Sequence, residues 1–206
     1  MMPGGGASTR ARLLLLVLAA AVVVRLLYLG EQWATSVLFR QLLLDEQEMA
    51  GTARGILMGH GFGPEPLFKA LLYPGLLAGI MMLFGDAWFF AVRLVQHLAG
   101  AALVCAAWDC ARRLAPPGRA RNWCGLAAAI AMAFYGPLIR LEDCLNLDSL
   151  VAIGQSLMVW SLVRMGTSVT SHAAWRWALL SGCLGAAAWL TRPTIGPVLP
   201  LLGAWV

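Results

Sequence analysis

The chain has 206 residues, of which 60% are hydrophobic and only 12% are charged, and its formal net charge is +5 at pH 7. Soluble domains carry about 25% charged residues, so this composition excludes an ordinary soluble protein and predicts a multi-pass membrane protein. The arginines stand at the ends of apolar runs rather than along one polar face, which argues against nucleic-acid binding. The five cysteines include no Cys-x-x-Cys pair, so no zinc finger is expected.

Six apolar runs follow one another along the chain. They cover residues 13–30, 67–84, 88–111, 122–139, 149–163 and 174–191. The first run follows Arg10 and Arg12 and lacks a small-residue cleavage motif, which favours a retained span over a cleaved signal peptide. Another apolar run begins at Thr194 and ends with the chain, so we expect an N-terminal portion of a longer protein.

The distribution of positive charge predicts that one of these runs does not cross the membrane. Four arginines stand between the third and fourth runs: Arg112, Arg113, Arg119 and Arg121. If all six runs crossed from a cytoplasmic N-terminus, this cluster would lie outside, against the usual Lys/Arg bias. The run at 67–84 holds Lys69 and a Pro74-Gly75 break, so we predict a broken, interfacial or re-entrant helix there. The other five runs then span, and residues 31–87 form one large extracytoplasmic loop.

This topology places two acidic segments on the same side of the membrane. The extracytoplasmic acids become Asp45, Glu46, Glu48, Glu65, Asp86, Glu142, Asp143 and Asp148, while Asp109 lies toward the cytoplasm. A single extracytoplasmic site built from both segments therefore becomes possible.

The first acidic segment, DEQEMAGTARGILMGHGF at 45–62, predicts an amphipathic helix at the membrane surface. Its polar face carries Asp45, Glu48, Thr52 and Gly55, and its apolar face carries Met49, Ala53, Ile56 and Leu57. Gly59, Gly61 and Gly63, with His60 among them, predict the end of that helix. An equally simple interpretation is a solvated helix face that ends at glycine.

Structural roles are also open for the other charged candidates. Asp148 is the predicted N-cap of the helix that follows it, and Arg192, before a proline, would reach the interface by snorkelling. Arg25 and Arg93 lie inside apolar runs, where a charge is costly unless it is paired, so we expect them to pair with nearby acids.

Several motifs, in order, resemble the polytopic glycosyltransferases of the GT-C type, including protein O-mannosyltransferases and the aminoarabinose transferase that modifies lipid A. The motifs are LLLDEQEMAGTARGILMGHGF, PEPLFKALLYPGLLAGIMMLFG, AVRLVQHLAGAALVCAAWDCARRL, LNLDSLVAI and WLTRPT. The resemblance implies an all-α polytopic bundle whose first extracytoplasmic loop carries juxtamembrane helices. It also implies sugar transfer from a polyprenyl-phosphate donor to a lipid, glycan or protein acceptor, on the outer face of a bacterial inner membrane.

The same resemblance implies roles for individual residues. Asp45 matches the catalytic aspartate of the first external loop, and Glu46 matches the residue that follows it. Asp148 matches an acidic position in the second external loop, and Arg192 resembles a phosphate-side residue of the family. The other predicted substrate-binding residues, chosen for their charge and position, are Glu48, His60, Lys69 and Arg140. Asp45 would be the general base for the acceptor hydroxyl, and the cationic residues, above all Lys69 and Arg192, would stabilise the leaving phosphate. One base and a phosphate leaving group imply inversion at the anomeric carbon.

Two further points stay open from the sequence. A divalent cation, Mg²⁺ or Mn²⁺, held by Asp45 and Asp148 would suit carboxylate ligands. The alternative functions are a membrane transporter or lipid flippase, or a non-catalytic subunit of the same fold. Carboxylates gathered on one face, rather than at the bilayer midplane, favour the enzyme over the transporter.

Overall fold

The computed structural model describes residues 5–39, 41–62 and 71–192, and every regular element in these ranges is helical. The helices are α1 Gly5–Thr35, α2 Asp45–Leu57, α3 Leu72–Phe84, α4 Trp88–Leu114, α5 Arg119–Ala133, α6 Gly136–Asp143, α7 Leu147–Gly166 and α8 Ser171–Thr191. Short 3₁₀ turns precede α2 and join α3 to α4. The predicted all-α bundle is confirmed.

Three helical segments are long and apolar enough to cross a membrane: Ala11–Thr35, Leu72–Leu114 and Leu147–Gly166. A fourth crossing would come from Ala120–Ala133 and Gly136–Asp143 together, two helices bent by 42° at their junction. Large apolar side chains lie exposed on the outer surface, including Leu16, Leu27, Trp123 and Trp175, each more than 60% accessible. Such a surface suits a hydrocarbon solvent, so the chain is an integral membrane protein.

The apolar segment from Leu72 to Leu114 is folded back on itself. The Tyr73 hydroxyl donates to Gln96 Oε1 at 3.0 Å. In one straight helix these residues would stand about 35 Å apart, so α3 must run antiparallel to the first half of α4. Because α3 has 13 residues, it measures about 20 Å, which is too short for a hydrocarbon core of about 30 Å. This geometry agrees with the predicted non-crossing of 67–84, and which helices span stays a prediction.

α1 and α5 pack antiparallel to α4, whereas α7 packs parallel to it, and a polar cluster joins α4 to α7 at one end. Asp109 Oδ2 accepts hydrogen bonds from Arg113 Nε at 2.9 Å, Trp160 Nε1 at 2.9 Å and Arg164 Nε at 2.7 Å. The end of α4 and the start of α5, where the arginine cluster stands, lie at this same end. We call it the basic end.

The two acidic segments meet at the opposite end, which we call the acidic end. Here Glu46 Oε1, in the first turn of α2, accepts a hydrogen bond from the Leu145 backbone nitrogen at 3.0 Å. The apolar face of α2 packs on α3 through Met49, Ala50 and Ala53, all of them buried. The predicted helix and its glycine end are confirmed, since Gly59 takes a φ of 83° just beyond α2. Its buried face differs at one predicted position, because Leu57, in the last turn, is exposed.

Three local predictions differ from the structure. Pro74 lies in the first turn of α3 rather than at a break inside it, because a proline there gives up no hydrogen bond within the helix. The N-cap of α7 is Asn146, whose side chain accepts from the Asp148 nitrogen at 3.1 Å, so the prediction of Asp148 as the cap is wrong. The run at 122–139 is divided between α5 and α6.

Candidate functional site

A small cavity with charged side chains in its lining lies at the acidic end, between α1, α2, α4 and α6. Its volume is about 240 Å³, and its lining includes Tyr28, Glu46, Arg93, Arg140, Asp143 and Cys144. Whole small-molecule ligands usually occupy about 300–1,000 Å³, so this cavity suits one sugar ring or one phosphate group rather than an entire lipid-linked donor. Two carboxylates and two guanidinium groups face the same space, which provides partners for both sugar hydroxyls and phosphate oxygens.

Arg93 is held rigidly at the edge of this cavity. Its Nε donates to the Asp143 carbonyl at 2.7 Å, and Nη1 donates to the Phe89 carbonyl at 3.2 Å. The guanidinium also stacks over the Phe39 ring, 4.0 Å from the ring centroid. A cation fixed in this way loses little conformational entropy when an anion binds, which makes Arg93 a well-ordered anion partner.

Cys144 also lines the cavity, and its surroundings keep the thiol protonated. Burial, followed by the nearby carboxylates of Glu46 and Asp143, raises the pKa of the Cys144 thiol. A nucleophilic cysteine needs a lowered pKa and a positive environment. Cys144 therefore contributes an uncharged thiol to the cavity lining and is not a candidate nucleophile.

A buried ion pair stands directly behind the cavity. Arg25 Nε donates to Glu142 Oε2 at 2.8 Å, and Nη2 donates to Glu142 Oε1 at 3.1 Å. Arg25 Nη1 also donates to the Ala133 carbonyl at 3.0 Å, and both charged side chains are almost fully buried. The expected pairing of Arg25 with an acid is confirmed, and this pair ties α1 to α5 and α6.

Gln96 completes the polar connection between α3, α4 and α6. Its amide nitrogen donates to the carbonyls of Glu142 at 2.6 Å and Cys144 at 3.1 Å, while its oxygen accepts from Tyr73. Unpaired polar groups in a membrane interior are costly, so these bonds hold α6 in one position. The carboxylate of Asp143, the last residue of α6, is thereby held in a fixed position in the cavity lining.

Glycine at position 100 makes room for the buried carboxylate. A Cβ atom added there would lie 1.7 Å from Glu142 Oε1, whereas one added at Gly79, within α3, would meet nothing within 4 Å. We expect Gly100→Ala to lower the free energy of unfolding by about 1–3 kcal/mol, as overpacking does. Gly79→Ala should be neutral or stabilise α3 by up to about 1 kcal/mol. Thermal unfolding of both variants in the same detergent measures the difference, and equal stabilities would contradict it.

The structure brings together some of the predicted site residues and separates others. Glu46 and Arg140 line the cavity. Asp148 and Arg192 form an ion pair with each other, at the start of α7 and the end of α8, and do not line it. Asp45, Glu48 and His60 are exposed on α2 and just after it. Lys69 lies outside the described residues.

The metal hypothesis finds no further support in the described ranges. Asp148 is engaged by Arg192. Among residues 5–39, 41–62 and 71–192, no group of three or more His, Cys, Asp or Glu side chains stands close enough together to hold a metal ion.

The sequence alone predicted no cavity role for Tyr28, Arg93 or Asp143. It also predicted no role for His97, which is buried next to Asp143. One signal was available in the sequence. Arg93 and His97 stand four residues apart inside an apolar run, so they share one face of α4. Two costly polar residues on one face predict an acidic partner, and Glu142 and Asp143 are that partner.

One family model matches residues 68–206 of the chain, more than half of its length, and its description is dolichyl-phosphate-mannose-protein mannosyltransferase. Comparison with curated proteins returns no match, and comparison with solved structures returns none either. The matched range includes Arg140, Asp148 and Arg192, whereas Asp45 and Glu46 precede it.

Proposed function

The chain belongs to the dolichyl-phosphate-mannose-protein mannosyltransferase family, and we propose that it transfers a sugar from a polyprenyl-phosphate donor to an acceptor on the extracytoplasmic face. The family match indicates the class of reaction, which is the glycosyl transfer of a membrane glycosyltransferase. The cavity at the acidic end supports the location, because it places cationic and acidic side chains around one small space at the end opposite the arginine cluster.

The proposed chemistry is a single displacement. The acceptor hydroxyl attacks the anomeric carbon, Asp45 takes its proton, and the bond between that carbon and the phosphate oxygen breaks. Attack from the face opposite the phosphate inverts the configuration. The exposure of Asp45 supports this role, because an acceptor arriving from water would reach it directly. Glu46, the next residue, provides a second carboxylate, which lines the cavity.

The leaving polyprenyl phosphate gains negative charge as the bond breaks, so it needs cationic partners. Arg93 and Arg140 line the cavity and suit this role by their position. Arg192 is half exposed and paired with Asp148, and we propose that the donor phosphate competes with Asp148 for it. An exposed pair of this kind is worth at most about 1 kcal/mol, so exchanging the partner is cheap.

The direct test uses the purified full chain in lipid nanodiscs with polyprenyl-phosphate mannose. The expected result is release of polyprenyl phosphate together with a mannosylated acceptor, and NMR of the product should show an anomeric configuration opposite to that of the donor. Retention of configuration would contradict the single displacement. Absence of donor cleavage, combined with movement of lipid across vesicle membranes, would favour the flippase alternative.

The proposed topology predicts opposite accessibility at two positions. In a variant without cysteines, Asp86→Cys should react with a membrane-impermeant maleimide added outside intact cells, because the turn after α3 would face outward. Arg119→Cys, at the start of α5, should react only after the membrane is opened, since the positive-inside bias retains that loop in the cytoplasm. Labelling of both positions from the same side would contradict the assignment of faces.

A further inference from the structure

His97 on α4 is fully buried behind the cavity, and only one of its ring nitrogens has a hydrogen-bond partner in the described part of the chain. Nδ1 lies 2.9 Å from Glu142 Oε2. Both oxygens of Glu142 accept from Arg25, so this carboxylate is ionised and Nδ1 must donate to it. In a neutral imidazole, the other nitrogen, Nε2, then carries only a lone pair.

A second acceptor lies near this nitrogen. Nε2 of His97 lies 4.0 Å from Asp143 Oδ1, and both atoms are buried without a hydrogen-bond partner among the described residues. The cation nearest to this oxygen is Arg93, whose Nε lies 3.5 Å from it. With a neutral imidazole and an ionised carboxylate, two acceptors face each other. One added proton removes this conflict, because an imidazolium forms an ion pair with Asp143 while Nδ1 still donates to Glu142.

We propose that His97 and Asp143 hold one exchangeable proton between them, and that this proton sets the charge which the cavity presents to the donor phosphate. The identity of the anion rests on the proposed function, whereas the sharing of the proton does not. His97 does not line the cavity and acts through Asp143, so it is a positioning residue.

The charges around the pair give this proton its effect. The neighbouring cations are Arg25 on α1, Arg93 on α4 and Arg140 on α6, and the neighbouring anions are Glu46 on α2 with Glu142 and Asp143 on α6. Tyr28, Tyr73 and Cys144 are the remaining titratable neighbours, and they are uncharged near neutral pH. The three guanidinium groups balance the three carboxylates. A proton taken up from solvent therefore leaves one net positive charge, which matches the single negative charge of a sugar phosphodiester.

The kinetic test is the pH dependence of KM for polyprenyl-phosphate mannose. In the wild type, KM should rise with pH by up to about tenfold per pH unit once the shared proton is lost. Asp143→Asn removes one negative charge at every pH, so its KM should be low and independent of pH. His97→Gln keeps a hydrogen-bond donor for Glu142 but cannot take up the exchangeable proton, so its KM should be high and independent of pH.

A purely structural role would not move KM in opposite directions in the two variants. The matched control is His172→Gln, an exposed histidine near the start of α8, at the basic end, and it should retain the wild-type pH dependence. A wild-type KM that stays constant with pH, while donor turnover is normal, would overturn the link between the proton and donor binding.

A second measurement is independent of catalysis. In a His60→Gln/His172→Gln background, His97 is the only histidine, and ¹⁵N-histidine NMR in nanodiscs can follow its ring between about pH 5 and 9. Asp143→Asn should shift its titration midpoint, while Asp148→Asn should leave it unchanged. If Asp143→Asn leaves the midpoint in place, the shared proton is excluded. If the wild type fails to turn over the donor but this coupling is found, the proposed function fails and the shared proton stands.

Discussion

Asp45→Asn is expected to lower kcat for sugar transfer by roughly 10²–10⁴-fold, the usual contribution of a general base. The amide keeps the shape of the side chain but cannot accept the proton of the acceptor hydroxyl. Asp45 is exposed at the first residue of α2, and no interaction of its side chain holds neighbouring helices in the structure described. The variant should therefore fold like the wild type, and the loss should appear in kcat rather than in thermal stability.

Two further variants make this test specific. Asp86→Asn removes another exposed carboxylate from the same region, in the turn after α3, and should retain full turnover. Glu46→Gln removes the neighbouring charge that lines the cavity, while its amide oxygen can still accept from Leu145. We expect a smaller loss for Glu46→Gln than for Asp45→Asn. The reverse order would assign the base to Glu46, and full activity of Asp45→Asn would exclude Asp45.

Arg25→Leu is expected to lower the free energy of unfolding by about 3–5 kcal/mol, because it leaves Glu142 buried without its charge partner. The guanidinium occupies both oxygens of this carboxylate, and neither side chain reaches solvent. His97 Nδ1 would remain as a hydrogen-bond donor to Glu142, but it would not replace the bidentate contact. Unfolding by heat or by increasing SDS in mixed micelles measures the loss.

The double variant Arg25→Leu/Glu142→Leu separates the cost of an unpaired charge from a general packing defect. Replacing both partners by apolar residues is often neutral, so most of the lost stability should return. Arg176→Leu, an exposed arginine on α8, is the matched control and should change stability by less than about 0.5 kcal/mol. If Arg25→Leu is as stable as this control, the buried pair does not hold the bundle together.

The order of helices and the position of α2 followed from the sequence alone. Apolar runs locate membrane helices because the length of a run and its hydrophobicity are local properties. The 45–62 stretch likewise predicted α2 and its glycine end. The helical spacing of polar and apolar residues and the positive φ at Gly59 both depend on neighbouring residues only. The fold-back of α3 was accessible through the distribution of arginines, which reports on topology across the whole chain.

The composition of the candidate site was decided only by tertiary structure. An apolar run shows that a helix is buried, but it does not give the rotation of that helix or the neighbour that it meets. Arg25 lies 117 residues from Glu142, and Asp45 and Glu46 are adjacent in sequence although only Glu46 lines the cavity. Similarly, Asp148 and Arg192 were assigned separately to substrate, and packing of α7 on α8 makes them each other's partner. The sequence by itself determined where the costly charges are, because each one interrupts an apolar run. Packing alone determined which of them share a space, because side chains on a helix lie about 100° apart and one residue of rotation changes every contact.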